Sequence, residues 1–176
     1  MDSDFAHILA QWQNFEMLAG SVSATLLGLL FVAASIRPAL FDRTEHREFL
    51  TIAAKSLGMF MLVIAIALVF LIPNVDPRTM GITLAGMAIL ALVNTTQQIV
   101  AMQKLLNEWG LLFITRRILL PAAGYVLLLW VSAMLYIGQI HWLSWLAPAQ
   151  ILFVLSATYN AWDLLLRVGE QQDRSS

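Results

Sequence analysis

The chain has 176 residues, of which 60% are hydrophobic and only 12% charged, with a formal net charge of −1. Soluble domains carry about 25% charged residues, so a water-facing globular fold is excluded as the body of this chain. It has no cysteine, which removes disulfides, thiol redox, iron–sulfur ligation and palmitoylation. No basic patch suited to nucleic acid stands outside the short loops.

The first element is a short amphipathic stretch at residues 4–15. Phe5, Ile8, Leu9, Trp12 and Phe15 recur at helical spacing, with Asp4, His7, Gln11 and Asn14 between them. Asp2, Ser3 and Asp4 offer N-caps. The pattern predicts a helix lying in the membrane interface. The opening Met1-Asp2-Ser3-Asp4 lacks the basic region of a signal peptide.

Five apolar blocks follow, over residues 15–36, 49–72, 80–102, 118–138 and 147–168. Each approaches or exceeds the ~20 residues that cross a bilayer core as a helix. The prolines punctuate them: Pro38 follows the first, Pro73 closes the second, and Pro77 sits in the next loop. Pro121 and Pro148 fall in the first turns of the fourth and fifth, where a missing N–H costs little. The predicted fold is all-α: a polytopic transmembrane bundle of five spans plus the interfacial helix, forming a single domain over residues 1–176.

Arg37, Arg43, Arg47 and Lys55 cluster at the first loop, Lys104, Arg116 and Arg117 at the third, and Arg167 and Arg174 in the tail. Arg78 alone lies on the opposite side. The positive-inside rule then puts the N-terminus outside and the C-terminus in the cytoplasm. Trp12, Trp142 and Trp145 would belong to the outer aromatic belt, and Trp109 and Trp162 to the inner one. Five spans with no internal repeat do not divide into the inverted halves common in secondary transporters.

Within the first span, Gly20, Ala24 and Gly28 make two small-xxx-small steps, a close helix-packing face within one subunit or between subunits. Ser21, Thr25, Gly28 and Ser35 form a mildly polar stripe, whose hydroxyls either bond their own helix or line a pore. Glu16, at the outer mouth, reads as solvated, as a partner of the helix dipole, or as an entrance charge. The mixed-sign loop at residues 37–48 reads as a solvated connector, or as a dock for anionic lipid or a cytoplasmic partner.

A polar layer is the sharper signal. Lys55 on span two, Asn94, Gln97 and Gln98 on span three, and Asn160 and Asp163 on span five are the pore or polar-layer candidates. On span five, Ser156, Asn160, Asp163 and Arg167 make one helical stripe. Most of the layer lies roughly 6–12 Å inside the cytoplasmic boundary at ~1.5 Å per residue. Intramembrane polar groups normally face a bundle interior or a water-filled cavity, so convergence is expected, with Lys55 meeting Asp163. Simpler roles stay open: Lys55 snorkelling to headgroups, and Asp163 pairing with Arg167 one turn on. The run Asn94-Thr95-Thr96-Gln97-Gln98 covers every side of its helix, so part of it faces headgroups or an aqueous vestibule.

His7, His46 and His141 are scattered, and no phosphate loop, catalytic triad or paired intramembrane carboxylate is present. No metal, cofactor or enzymatic activity is expected.

The stretch Leu26-Leu27-Gly28-Leu29-Leu30-Phe31-Val32-Ala33-Ala34-Ser35-Ile36 resembles the first span of a group of small, largely uncharacterised bacterial membrane proteins. The later Asn160-Ala161-Trp162-Asp163-Leu164-Leu165 is similar to that group's last span. Some members carry the label of modulators of a membrane protease. The resemblance implies a bacterial plasma membrane and brings no activity with it.

Two functions are therefore expected to compete. The first is a small homo-oligomeric channel or pore-forming protein with its polar layer near the cytoplasmic side. The second is an accessory or scaffold subunit that binds another membrane complex, such as a membrane protease. In both, lipid is the solvent and nucleic acid is not a partner.

Overall fold

A computed structural model of the chain describes residues 2–36, 47–73, 75–106 and 118–173. Among the described residues all regular secondary structure is helical. The helices are α1 (Asp2–Ile36), α2 (Arg47–Phe70), α3 (Pro77–Leu106), α4 (Leu120–Tyr136) and α5 (Leu146–Asp173), with a 3-10 helix at Ile140–Trp145. Four segments are long and apolar enough to cross a membrane: His7–Ser35, Ala53–Phe70, Pro77–Gln97 and Ile140–Asp163. The apolar α4, at 17 residues, falls at the short end of the range for a spanning helix.

One expectation is corrected. The amphipathic stretch at residues 4–15 is not a separate interfacial helix. It is the first part of α1, which runs unbroken for 35 residues. No proline or glycine precedes Gly20 to stop it. Its apolar stripe also has a protein partner: Phe5 and Leu9 are buried in the main core, with Ile8 and Trp12 packed against it. Trp12 is thus a half-buried packing residue rather than a free belt anchor.

The ends of the elements follow from local chemistry. Asp76 caps α3: its Oδ2 accepts from the Thr79 N–H at 3.0 Å and its Oδ1 from the Thr79 hydroxyl at 2.6 Å. Pro77 follows as the first helical residue, where its missing N–H costs nothing. These hydrogen bonds, Thr79's hydroxyl first, hold the exposed Asp76 carboxyl below the usual carboxylate range. At the end of α4, Gly138 takes φ +83. Its N–H bonds the Leu135 carbonyl, and the Gln139 N–H bonds that of Met134, a left-handed close that favours glycine.

Helices α2, α3, α4 and α5 form a closed ring, each packed on two neighbours. Helix α1 docks outside it, chiefly on α2, with a narrower contact to α5. Ring residues Val63, Ile66, Phe70, Met80, Leu84, Leu128, Val131, Leu135, Leu146 and Phe153 are fully buried. Outward faces are just as apolar: Leu18, Leu29, Phe31, Leu68, Leu90, Val126 and Ile151 are exposed. A soluble protein does not carry so much exposed apolar surface, whereas lipid solvates it. Lipid also supplies no hydrophobic drive between helices, so close packing must hold the ring.

Among the described glycines, the tightest contacts lie at two that the small-residue reading did not single out. A Cβ at Gly81 would stand 2.7 Å from the Ser132 carbonyl oxygen and 2.9 Å from the Tyr136 nitrogen. The backbones of α3 and α4 therefore meet there. A Cβ at Gly124 would stand 2.7 Å from the Phe153 ring.

The Gly20/Ala24/Gly28 stripe is divided. Gly20 lies against α2, where a Cβ would come within 3.0 Å of the Ala67 Cβ. Ala24 and Gly28 face outward, and nothing lies within 4 Å of a Cβ placed on Gly28. Of the two glycines, Gly20 meets another helix of the same chain and Gly28 meets none of the described residues.

Candidate functional site

Polar side chains collect at the two ends of the bundle. The first collection follows from how α2 and α3 separate. Val69 and Phe70 of α2 share the sealed core with Met80 and Leu84 of α3, close to the turn that joins the helices. Over their whole length the two helices touch least of any ring neighbours. A groove of about 620 Å³ opens between them toward the far end. Lys55, Asn94 and Gln97 line it, over an apolar wall that includes Met59, Leu62, Met87 and Leu90.

Tyr125 of α4 and Thr95 of α3 also line this groove. The Tyr125 and Thr95 hydroxyls are hydrogen-bonded at 3.1 Å, and both residues are buried. Tyr125 is held from behind by Phe153, with ring centroids 4.9 Å apart. A hydroxyl paired in this way presents a fixed dipole to the groove with no buried polar atom left over.

The structure thus brings Lys55, Asn94 and Gln97 to one groove. Asn94 and Gln97 are exposed and Lys55 is half-buried. Asn160 is elsewhere: it is buried on α5, and among the described residues its Nδ2 has no hydrogen-bond partner. Asp163, three residues beyond Asn160 on α5, is half-buried. Lys55, Asn94 and Asp163 do share one depth, roughly 23–26 Å along their helices from the turn end, at ~1.5 Å per residue. The side chains of Gln98 and Arg167 lie outside the described residues, as do the first loop at 37–46, Trp109 and His46.

The second collection was not expected. Glu16 is fully buried, not solvated at a mouth. Both its carboxylate oxygens accept from the Nε2 of Gln150, at 2.9 and 2.8 Å. Gln150 is buried too, one turn into α5, and its Oε1 has no partner among the described residues. Glu16 lies here because Phe5, Leu9, Trp12, Glu16 and Ser23 succeed one another at spacings of three, four or seven, on the face of α1 that packs. That register was the available signal. Position at the edge of an apolar block pointed the other way.

Two further buried hydroxyls, Ser23 on α1 and Ser156 on α5, also lack partners among the described residues. The exposed stripe behaves more simply. Thr25 and Ser35 donate to carbonyls one turn back, at 2.8 Å each, so they bond their own helix. His141 is exposed beside Trp142, whose indole N–H donates to Gln139 at 3.1 Å.

No protein-family model matches the chain, and no curated protein or solved structure matches it either.

Proposed function

We propose that the chain is a subunit of a homo-oligomeric membrane pore, with the α2–α3 groove supplying the polar stretch of a pathway between subunits. The carrying observation is the contrast between a ring filled by side chains at 0% exposure, such as Val63, Leu84 and Leu128, and a groove outside it lined by Lys55, Asn94 and Gln97. A path through one subunit would have to open the packed ring. A path along the groove needs a second copy to close its open side. The outward Ala24 and Gly28 of α1 offer a surface for close approach of that copy.

The proposal places the N-terminus outside, the C-terminus in the cytoplasm of a bacterium and α4 as a fifth span, so that the groove opens near the cytoplasmic face. Lys55 and Asp163, at equal depth, share the electrostatics of that end.

The test is reconstitution of the purified protein in planar bilayers. A symmetric oligomer with a measurable conductance is expected. Lys55→Glu should move its reversal potential toward cations under a salt gradient. A wild-type protein that is silent, monomeric and recovered with another membrane complex would replace the pore with an accessory role. Reporter fusions at both termini check the topology. Two ends on one side would remove a span.

A further inference from the structure

Glu16 poses a chemical question that the groove does not touch. A carboxylate in a spanning helix is costly, and here both oxygens are bonded to one neutral amide. If the role were only to pin α1 to α5, glutamine at position 16 would make the same amide contact with no charge to bury. The carboxyl group therefore adds something an amide lacks: it can take up and release a proton.

We propose that Glu16 and Gln150 form a proton-binding site sealed between α1 and α5. The two side chains suit both protonation states. With Glu16 ionised, its two oxygens accept from Gln150 Nε2, the arrangement observed. With Glu16 protonated, its O–H needs an acceptor. Gln150 carries one, Oε1, which is buried and unpartnered among the described residues. A half-turn of the terminal amide exchanges Nε2 for Oε1 and satisfies the new donor. One proton enters from water at the turn end of the bundle and the site passes from −1 to neutral. The same proton leaves by the reverse step, and nothing else is consumed.

The donor count selects the ligand. Glu16 and Gln150 together present three oxygens, whereas calcium takes roughly six to eight. A proton needs one donor and one acceptor. Among the described residues, few titratable side chains flank it. The stretch of α2 from 56 to 70 has no titratable side chain, and on α5 from 146 to 158 there is none either. The other described titratable side chains toward this end are His7 on α1, Asp76 and Arg78 at the start of α3, Tyr136 at the end of α4 and His141 in the 3-10 helix, all exposed, and Tyr125 of α4 is engaged by Thr95. Gln150 also lines a shallow apolar groove of about 230 Å³ with Phe15, Leu18, Val22 and Leu155. A small apolar reagent can therefore come close to the pair from the lipid side.

Two measurements on the full chain in lipid bilayers test this. In infrared titration, a carboxylic-acid C=O band should appear as pH is lowered and vanish as it is raised. That band should be lost in Glu16→Gln and displaced in Glu16→Asp. Should the variants fail to fold, labelling of the wild type with dicyclohexylcarbodiimide decides without them. The acid O–H adds across one C=N bond, its oxygen going to carbon and its proton to nitrogen, so only the protonated acid reacts. Peptide mapping should find Glu16 modified, increasingly so at lower pH. A Glu16 unlabelled at every pH, with no titrating acid band, would overturn the proposal and leave a fixed structural pair. A carboxylate band that instead shifts on adding sodium would overturn it in favour of a monovalent cation.

Discussion

The two polar collections are built from similar residues and treated in opposite ways. At the turn end, Glu16 and Gln150 are buried, at 0% and 1% exposure. At the other end, Asn94 and Gln97 lie open along a groove beside Lys55. The difference comes from neighbours. α1 lays its long apolar face over α2 and α5 at the turn end and covers the pair. Among the described residues, no helix covers the open side of the α2–α3 groove. A polar residue in a membrane protein is thus sealed or left open by which helix lies across it, and depth alone does not decide.

Substitutions can break this comparison, and the sealed pair should respond most. Gln150→Leu leaves a buried carboxylate without its donor, which costs about 3 kcal/mol. Adding Glu16→Leu to it should recover much of that loss, because removing both polar partners is nearly neutral. Melting temperature in detergent reads both. Equal losses in the single and double variants would show that the pair is not coupled.

Next comes the backbone contact that closes the ring. Gly81→Ala puts a methyl group 2.7 Å from the Ser132 carbonyl oxygen and should cost about 1–3 kcal/mol. Gly28→Leu has nothing within 4 Å to strike, so the isolated subunit should melt within about 0.5 kcal/mol of wild type. In an oligomer joined through this face the same variant should dissociate, as size-exclusion chromatography would show. Intact oligomers would mean that Gly28 faces lipid.

The smallest effect belongs to Asp76. Its folded carboxyl is held below the usual range, so its contribution is present above the unfolded value and is lost as pH falls through the folded one. Hydrogen exchange at the Thr79 and Met80 amides should speed up in acid, and in Asp76→Ala already at neutral pH. Unchanged exchange in both would remove the cap from the account.

The helical fold was legible because block length and proline placement agree: Pro121 stands in a first turn as read, while Pro77, read as loop, opens α3. The continuity of α1 was not. His7, Gln11 and Asn14 gave residues 4–15 a polar face that interfacial and packed helices share, and only the presence of the ring decides between them. Lys55 and Asn94 drew notice through depth, which follows from helical rise alone, and Gln97 through its face shared with Asn94. Glu16 was missed because depth places it at an edge, while its register with Leu9 and Trp12 places it inside. Repeated small residues at 20, 24 and 28 made a stronger pattern than Gly81. A close contact needs a backbone opposite it, though, and that is tertiary information.

Because the chain contains no cysteine, single thiols report exposure without background. The most direct measurement compares Asn94→Cys and Gln97→Cys with Gln150→Cys in membranes, using a charged, water-soluble maleimide. Fast labelling at 94 and 97, and none at 150, is the expected result. Equal labelling at all three positions, or labelling at 150 alone, would contradict an open groove opposed to a sealed pair.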